Sequence, residues 1–364
     1  MDKKMKLYIG IIIVIIIALV IVLGVKISSK NKKVDDITTE ESQEEVSQEE
    51  KSEENQKNGN IKIFNGNDRP IAFMIDNNVN AQPQSNLNKA YLVYEIIVEG
   101  GETRLMALFK GVDVSKEDVT VGPIRSARHY FIDYALENDA IYAHLGQSPQ
   151  AESYIKNFNV SDINGQIYDT GKARTSSSLY WREKSKKAPH NAYTSINSIL
   201  EICKKKKYKT TSDKKSLLNY VAEEVNLEGE NTKVANTVTI PYGTSHTVKY
   251  VYDAQTQRYI RYSKGKKQTD EATGEDVTTK NLIISFIKNT TIDDGEDKGR
   301  QELANFTNAD GYYITNGKAI KITCKKEFVG GQTKYVDENG KEINVNDGNT
   351  WINICPIDAN VVIE

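Results

Sequence analysis

From Leu7 to Val25 the chain carries no charged residue and is built mostly from Ile, Val and Leu. A helix rises about 1.5 Å per residue, so roughly twenty such residues cross the hydrocarbon core of a membrane. A helix buried in a globular core would keep a polar face, and this run has none. A cleaved leader has a shorter apolar stretch and a small-residue cleavage site, and no good A-x-A site is evident. We therefore expect an uncleaved signal anchor over residues 7–27, preceded by a cytoplasmic tail of residues 1–6. Lys3, Lys4 and Lys6 precede the run, while Lys26, Lys30, Lys32 and Lys33 follow it, so flanking charge does not decide orientation. A short tail ahead of a lone span fits an export signal. The expectation is a single-pass plasma-membrane protein with most of its mass extracytoplasmic.

The next stretch, residues 28–60, is expected to be a disordered acidic linker. Glu40, Glu41, Glu44, Glu45, Glu49, Glu50, Glu53 and Glu54 are spaced by Ser, Gln and Thr, with almost nothing apolar to bury. Self-repulsion extends such a segment, and a plain tether is favoured over an acidic binding tail. This linker accounts for much of the low hydrophobic fraction, 38% of the chain, and the remainder has enough Ile, Val, Leu, Tyr and Phe to form a core. A net charge of -2 gives no general case for nucleic-acid binding. Neither a GxGxxG nor a GKS loop is present, so no nucleotide partner and no cofactor is expected. The four histidines, at 129, 144, 190 and 246, show no ligand spacing, and Cys203, Cys324 and Cys355 form no CxxC pair, so no metal site is expected. Cys324 and Cys355 have the option of pairing in an oxidising space. The simpler reading makes all three cysteines small buried hydrophobes.

The folded part begins near residue 61. Arg69 to Asp76 reads as a buried strand, Tyr91 to Val98 as a second and Arg104 to Phe109 as a third. The short step from Glu99 to Arg104, with Gly100-Gly101 inside it, suggests a hairpin. Ser126 to Glu137 then takes helical spacing, with Ala127, Phe131, Tyr134 and Ala135 on one face. Ala140 to His144 reads as a short strand. Ser148-Pro149 opens another helix, with Ser148 suited to the cap and Pro149 to the first turn. Ile196, Ile199, Leu200 and Cys203 mark a further helix. Lys204 to Lys215 reads as a solvated bridge or, less simply, as a contact for anionic polymer, and Leu217 to Val225 looks helical. Beyond Thr237 the chain is mostly strands and turns: Val248–Tyr252, Tyr259–Tyr262, Asn281–Ile287, Gly311–Ile314, Ala319–Thr323 and Trp351–Ile354, with turn signals at Asn316-Gly317 and Asn339-Gly340. The expected class is α+β. A mixed α/β domain over 61–205, a layered sheet with helices, leads through a helix-bearing bridge over 206–235 to a β-rich domain over 236–364.

Three segments carry a family resemblance: RPIAFMIDNNVNAQPQSNLNKAYLVYEIIVEGGETRLMALF, GPIRSARHYFIDYALENDAIYAHLGQSP and KAPHNAYT. They resemble the YerB-like family of Gram-positive bacteria, catalogued as domain of unknown function 3048. VKYVYDAQTQRYIRYSKGKKQTDEATGEDVTTKNLII and YVDENGKEINVNDGNTWINICP resemble its C-terminal companion domain. The likeness spans roughly residues 65–358. It implies an exported lipoprotein or membrane-anchored protein of mixed α/β structure, and it supports the outward orientation. It implies no particular activity. Two departures stand out. No lipid-accepting Cys follows the apolar run, so a membrane helix takes the place of a lipid anchor. Cys324 also occupies a position where the family pattern implies Trp.

The most informative cluster is Gly122-Pro-Ile-Arg125-Ser-Ala-Arg128-His129. Two arginines and a histidine at the start of an expected helix favour an anion, because free N–H groups and the helix dipole are positive there. Guanidinium forks grip phosphate or carboxylate with two hydrogen bonds. The alternative is that Arg125 and Arg128 pair with Asp76, Glu95 or Glu99 to hold the fold. Glu95 and Glu99, four apart in one expected strand, would lie about 13 Å apart, which is too far for one acid/base couple. Asp76, Glu95, Glu99, His144 and His190 are nevertheless the candidates if the protein is an enzyme. As ligand-binding candidates we take Arg125, Arg128, Glu99, His144, Ser148, His190 and Asn191. Ser148 beside His144 makes a poor nucleophile–base pair, since Ser148 is more simply a cap. Twenty tyrosines give weak support for glycan stacking. The leading expectation is a binding or accessory protein of the cell envelope that recognises an anionic polymer or partner protein. The alternative is a wall-modifying hydrolase or transferase that uses the acidic residues.

Overall fold

The computed structural model describes residues 61–63 and 66–364. The expected cytoplasmic tail, signal anchor and acidic linker lie outside the described residues. Among the described residues, no helix is long and apolar enough to cross a membrane.

Three strands in the first segment set the frame. β1 (Ile71–Asp76), β2 (Leu92–Ile97) and β3 (Thr103–Phe109) are buried along their whole lengths. Near-continuous apolar runs such as Ile-Ala-Phe-Met-Ile suit strands covered on both faces. β2 and β3 form the expected hairpin, closed by a short turn at Glu99–Gly101. Gly100 and Gly101 there have φ of 69° and 71°, a region that side-chain-bearing residues rarely adopt. β1 pairs antiparallel with β3 and parallel with β4 (Ile141–His144), which pairs parallel with β5 (Asp162–Asn164).

The helices are α1 (His129–Glu137), α2 (Pro149–Asn157) and α3 (Ile196–Lys206). α1 starts three residues later than its periodicity suggested. Ser126 to Arg128 are held extended instead, with Ala127 N–H donating to Gly146 O at 2.9 Å and Ser148 N–H donating to Ala127 O at 3.2 Å. α2 begins as expected, with Ser148 accepting from the Ala151 N–H at 3.1 Å.

The second segment contributes β6 (Thr237–Pro241), β7 (Thr247–Asp253), β8 (Arg258–Ser263), β9 (Asn281–Ile287), β10 (Asn308–Thr315), β11 (Lys318–Lys325) and β12 (Thr350–Pro356). The Asn316-Gly317 turn joins β10 to β11, and both residues have positive φ, as a two-residue hairpin requires. The expected helix over Leu217–Val225 is absent. Asn219–Val221 pairs in parallel with Asn344–Asn346 instead. A nine-residue segment is too short to hold a helix alone, and burying Leu217, Leu218 and Tyr220 decides its shape.

The two segments share one sheet. Its order runs Lys233–Val234, β11, β10, β9, β12, β2, β3, β1, β4, β5, with Lys334–Val336 paired to the side of β11. β2 and β12 join the segments through a parallel ladder from Leu92↔Thr350 to Ile96↔Ile354. A second sheet, built on β6, β7 and β8, buries alternate residues, as a sheet with one covered face should. Its Tyr250 packs edge-on against Trp351 at 6.3 Å, and the Tyr242 hydroxyl donates to Glu95 O at 3.1 Å. The result is a strand-rich, mixed α/β protein. Cys203, Cys324 and Cys355 are free and buried. Cys324 lies in β11 and Cys355 in β12, with β10 and β9 between them. Three strand spacings amount to about 14 Å, far beyond disulfide reach.

Candidate functional site

Register brings the first charges together. Asp76 ends β1 directly opposite Arg104 of β3, so their side chains leave the same face of the sheet. The turn at Glu99–Gly101 presents Glu99 beside them. Arg125 lies on an extended segment bound to β1, its N–H donating to Met74 O at 2.8 Å and its carbonyl accepting from Leu145 N–H at 3.0 Å. Arg128 stands just before α1. His190 reaches in from the loop ahead of Ala192–Ser195, its N–H held by Lys187 O at 2.9 Å. Together these side chains border a cleft of about 430 Å³, with Lys298 and Arg300 added from the loop between Asn289–Thr291 and Gln301–Leu303.

Arginine dominates the floor. Arg104 donates from Nη1 to Ser126 O at 2.7 Å and sits 3.5 Å from Glu99. Arg128 donates to Ala127 O at 2.7 Å, and its Nε donates to Glu99 Oε1. Burial pushes Arg104 down to about 10, with the neighbouring Arg128 and Arg125 adding to the drop and Glu99 opposing it. Arg104 still carries its proton at neutral pH. Burial raises Glu99, but the Arg128 hydrogen bond and the charges of Arg104 and Arg128 outweigh it and hold the carboxylate ionised. Arg125 Nε is 3.1 Å from Asp76 Oδ2 yet makes no aligned hydrogen bond. Asp76 is already engaged: Oδ1 accepts from Asn78 N–H at 3.0 Å, and Oδ2 meets His190 Nδ1 at 2.7 Å. Three guanidiniums thus contact two carboxylates, while the third carboxylate of the lining, Glu102, pairs with Lys264. At the rim, Lys298 is balanced by Glu296, and Arg300 by Asp294 and Glu296.

Residues 59–209 match the family described as "Protein of unknown function (DUF3048) N-terminal domain", and residues 238–352 match its C-terminal domain. The chain belongs to the DUF3048 family. It is 34% identical over 294 residues to "Putative lipoprotein YerB" of Bacillus subtilis (strain 168), covering 79% of this chain and 81% of that one. The crystal structure of the B. subtilis YerB protein superposes with a TM-score of 0.68 at 32% identity, covering 81% of this chain and 94% of that one.

In this DUF3048 protein the cleft gathers Asp76, Glu99, Arg125, Arg128 and His190, five of the residues singled out from sequence. Arg125 and Arg128 contact Asp76 and Glu99, and both also line the cleft. Four other candidates lie elsewhere. His144 is fully buried under the sheet's end, with Nδ1 against Gly146 O at 2.9 Å and Nε2 3.5 Å from Asp162. Ser148 is spent on the α2 cap. Asn191 is turned away, donating to Glu183 O at 3.1 Å and accepting from Arg182 at 3.2 Å. Glu95 is sealed beneath the second sheet, where it accepts from Arg261 at 2.7 Å and Thr103 at 2.8 Å and meets His246 at 3.2 Å. Burial pushes Glu95 up, but Arg261 and His246 outweigh it and bring the carboxyl down to about 2. Glu95 and Glu99 do not share a strand, since β2 ends at Ile97.

Sequence reasoning missed Arg104, Lys298 and Arg300. Arg104 was accessible in principle, because the β1–β3 register sets it opposite Asp76. No local signal announces Lys298 or Arg300, which lie at least 170 residues beyond Arg128 and more than 100 beyond His190 along the chain. Among the described residues, no group of three or more His, Cys, Asp or Glu side chains is placed to hold a metal ion.

Proposed function

We propose that this protein is a membrane-anchored, extracytoplasmic binding protein whose arginine cleft takes an anionic group of an envelope polymer. The observation that carries the reading is the convergence of Arg104, Arg125 and Arg128 on one open cleft, outnumbering the carboxylates they touch. Crowded guanidiniums of this kind gain from an added phosphate or carboxylate, which relieves their mutual repulsion and accepts their forked hydrogen bonds. An envelope setting is supported by the description of the B. subtilis relative as a lipoprotein and by the apolar run at residues 7–25 of this chain.

The test is retention of the full chain, in nonionic detergent, on cell-wall sacculi that carry or lack their anionic polymers. Retention is expected only on the polymer-bearing walls. It should weaken with added salt and fall at least about tenfold in an Arg125→Gln, Arg128→Gln double variant. Retention by that variant equal to the unaltered chain at low salt removes the reading. The catalytic alternative rests on a narrower observation. Glu95 is sealed and Glu99 is clamped by arginine, but the contact between Asp76 and His190 sits at the cleft edge.

A further inference from the structure

Asp76 and His190 are arranged in a way that anion binding alone does not require. The Asp76 carboxylate accepts at both oxygens, from the Asn78 N–H at 3.0 Å and from His190 Nδ1 at 2.7 Å. A carboxylate only accepts, so the proton of that contact belongs to Nδ1, and the neutral imidazole of His190 keeps its lone pair on Nε2. Nε2 makes no hydrogen bond among the described residues, and the imidazole is partly exposed in the cleft wall. Asp76 itself is almost wholly buried and has no free oxygen with which to act as a base.

We propose that His190 is the general base of a phosphodiester-cleaving centre, with Asp76 as its positioning residue and Arg104, Arg125 and Arg128 gripping the phosphoryl oxygens. This rests on the reading of the cleft as an anion site and names the reaction that site performs. His190 Nε2 takes a proton from a water molecule as the water oxygen bonds to phosphorus. The bond from phosphorus to the leaving oxygen breaks, and its electron pair stays on that oxygen. The alkoxide takes a proton from solvent at the open mouth of the cleft, and His190 releases its own proton to bulk water. One diester and one water give one phosphomonoester and one alcohol. Nothing is oxidised or reduced, and no further reactant is needed. The guanidiniums neutralise the charge that builds on the non-bridging oxygens as the new bond forms. The substrate class is an anionic polymer joined through phosphodiesters, which a carboxylate polymer would not satisfy.

The experiment uses the full chain in nonionic detergent, with bis(4-nitrophenyl) phosphate and a purified poly(glycerol phosphate) as probes. Release of nitrophenol and of new phosphomonoester ends is expected. His190→Ala should lose at least about 100-fold in kcat, the usual scale of a general base, with inhibition by inorganic phosphate unchanged. Added imidazole should restore part of the turnover to His190→Ala, an effect that a merely structural role would not produce. Asp76→Asn should lower kcat by at least about tenfold with KM nearly unchanged, because the amide favours the wrong tautomer. His190→Gln serves as the variant if His190→Ala fails to fold by circular dichroism. Turnover of both probes by the unaltered chain no faster than by the His190 variant overturns the proposal. If sacculus retention persists in that case, only the catalysis falls. If retention is also absent, the anion site falls with it.

Discussion

At the scale of single residues, two buried carboxyls have opposite consequences for stability. Glu95 is ionised in the fold and anchored to Arg261, whose guanidinium also stacks on Trp351 at 4.8 Å. Glu95→Gln leaves that buried cation without its counter-charge, so we expect a loss of about 3–5 kcal/mol in urea unfolding at neutral pH. Its folded value lies below the ordinary 4.5, so its contribution is present above pH 4.5 and is lost as pH falls toward 2. Asp133 on α1 behaves the other way. Burial pushes its carboxyl up to about 6 from an ordinary 3.8, against the pull of Asn305 and Lys326. Its protonated form is favoured in the fold, so this stability is fully present below about pH 4 and is lost as pH rises through 6. Denaturant midpoints measured from pH 4 to pH 7 should therefore show a decline attributable to Asp133. Asp133→Asn should flatten that part of the profile, and an unchanged slope would contradict the assignment.

At the scale of elements, Gly311 of β10 leaves no room for a side chain between its neighbouring strands. A Cβ there would stand 2.2 Å from Ile284 O on β9 and 3.0 Å from Cys324 Sγ on β11. The obstructing atom is backbone within a paired ladder, where Ser285 faces Gly311, so it has little room to yield. Gly311→Ala should cost at least about 2 kcal/mol by thermal or urea unfolding. Adding Cys324→Ala should not recover it, because the carbonyl remains. Recovery by that second change would move the obstruction from the backbone to the thiol.

At the scale of the whole molecule, the ladder between β2 and β12 makes the two family segments parts of one sheet. Trp181 lies in the first segment and Trp351 in the second, both buried, and they are the only two tryptophans in the chain. Single-tryptophan variants, Trp351→Phe and Trp181→Phe, should each unfold at the same denaturant concentration when followed by fluorescence and by far-ultraviolet circular dichroism. Midpoints that separate between the two probes of one variant would show segments that unfold independently.

What the sequence determined by itself was local. Periods of two and 3.6, capping at Ser148, the glycine turn after β2 and the Asn316-Gly317 hairpin are all set within a few residues, and most elements formed where those patterns placed them, with α1 starting three residues late. The family was also legible, because its motifs are long and contiguous, and so were five residues of the cleft. Tertiary structure decided the rest, because the remaining choices depend on partners far along the chain. Pairing with Asn344–Asn346 turned Leu217–Val225 from an expected helix into extended chain. The second sheet sealed Glu95, a candidate acid if the protein is an enzyme, away from the cleft. The register between β1 and β3 added Arg104, and a loop from the second segment carried in Lys298 and Arg300. Backbone hydrogen bonding and side-chain periodicity act over a turn or a strand, whereas burial and charge pairing act between whichever surfaces the folded sheet brings into contact.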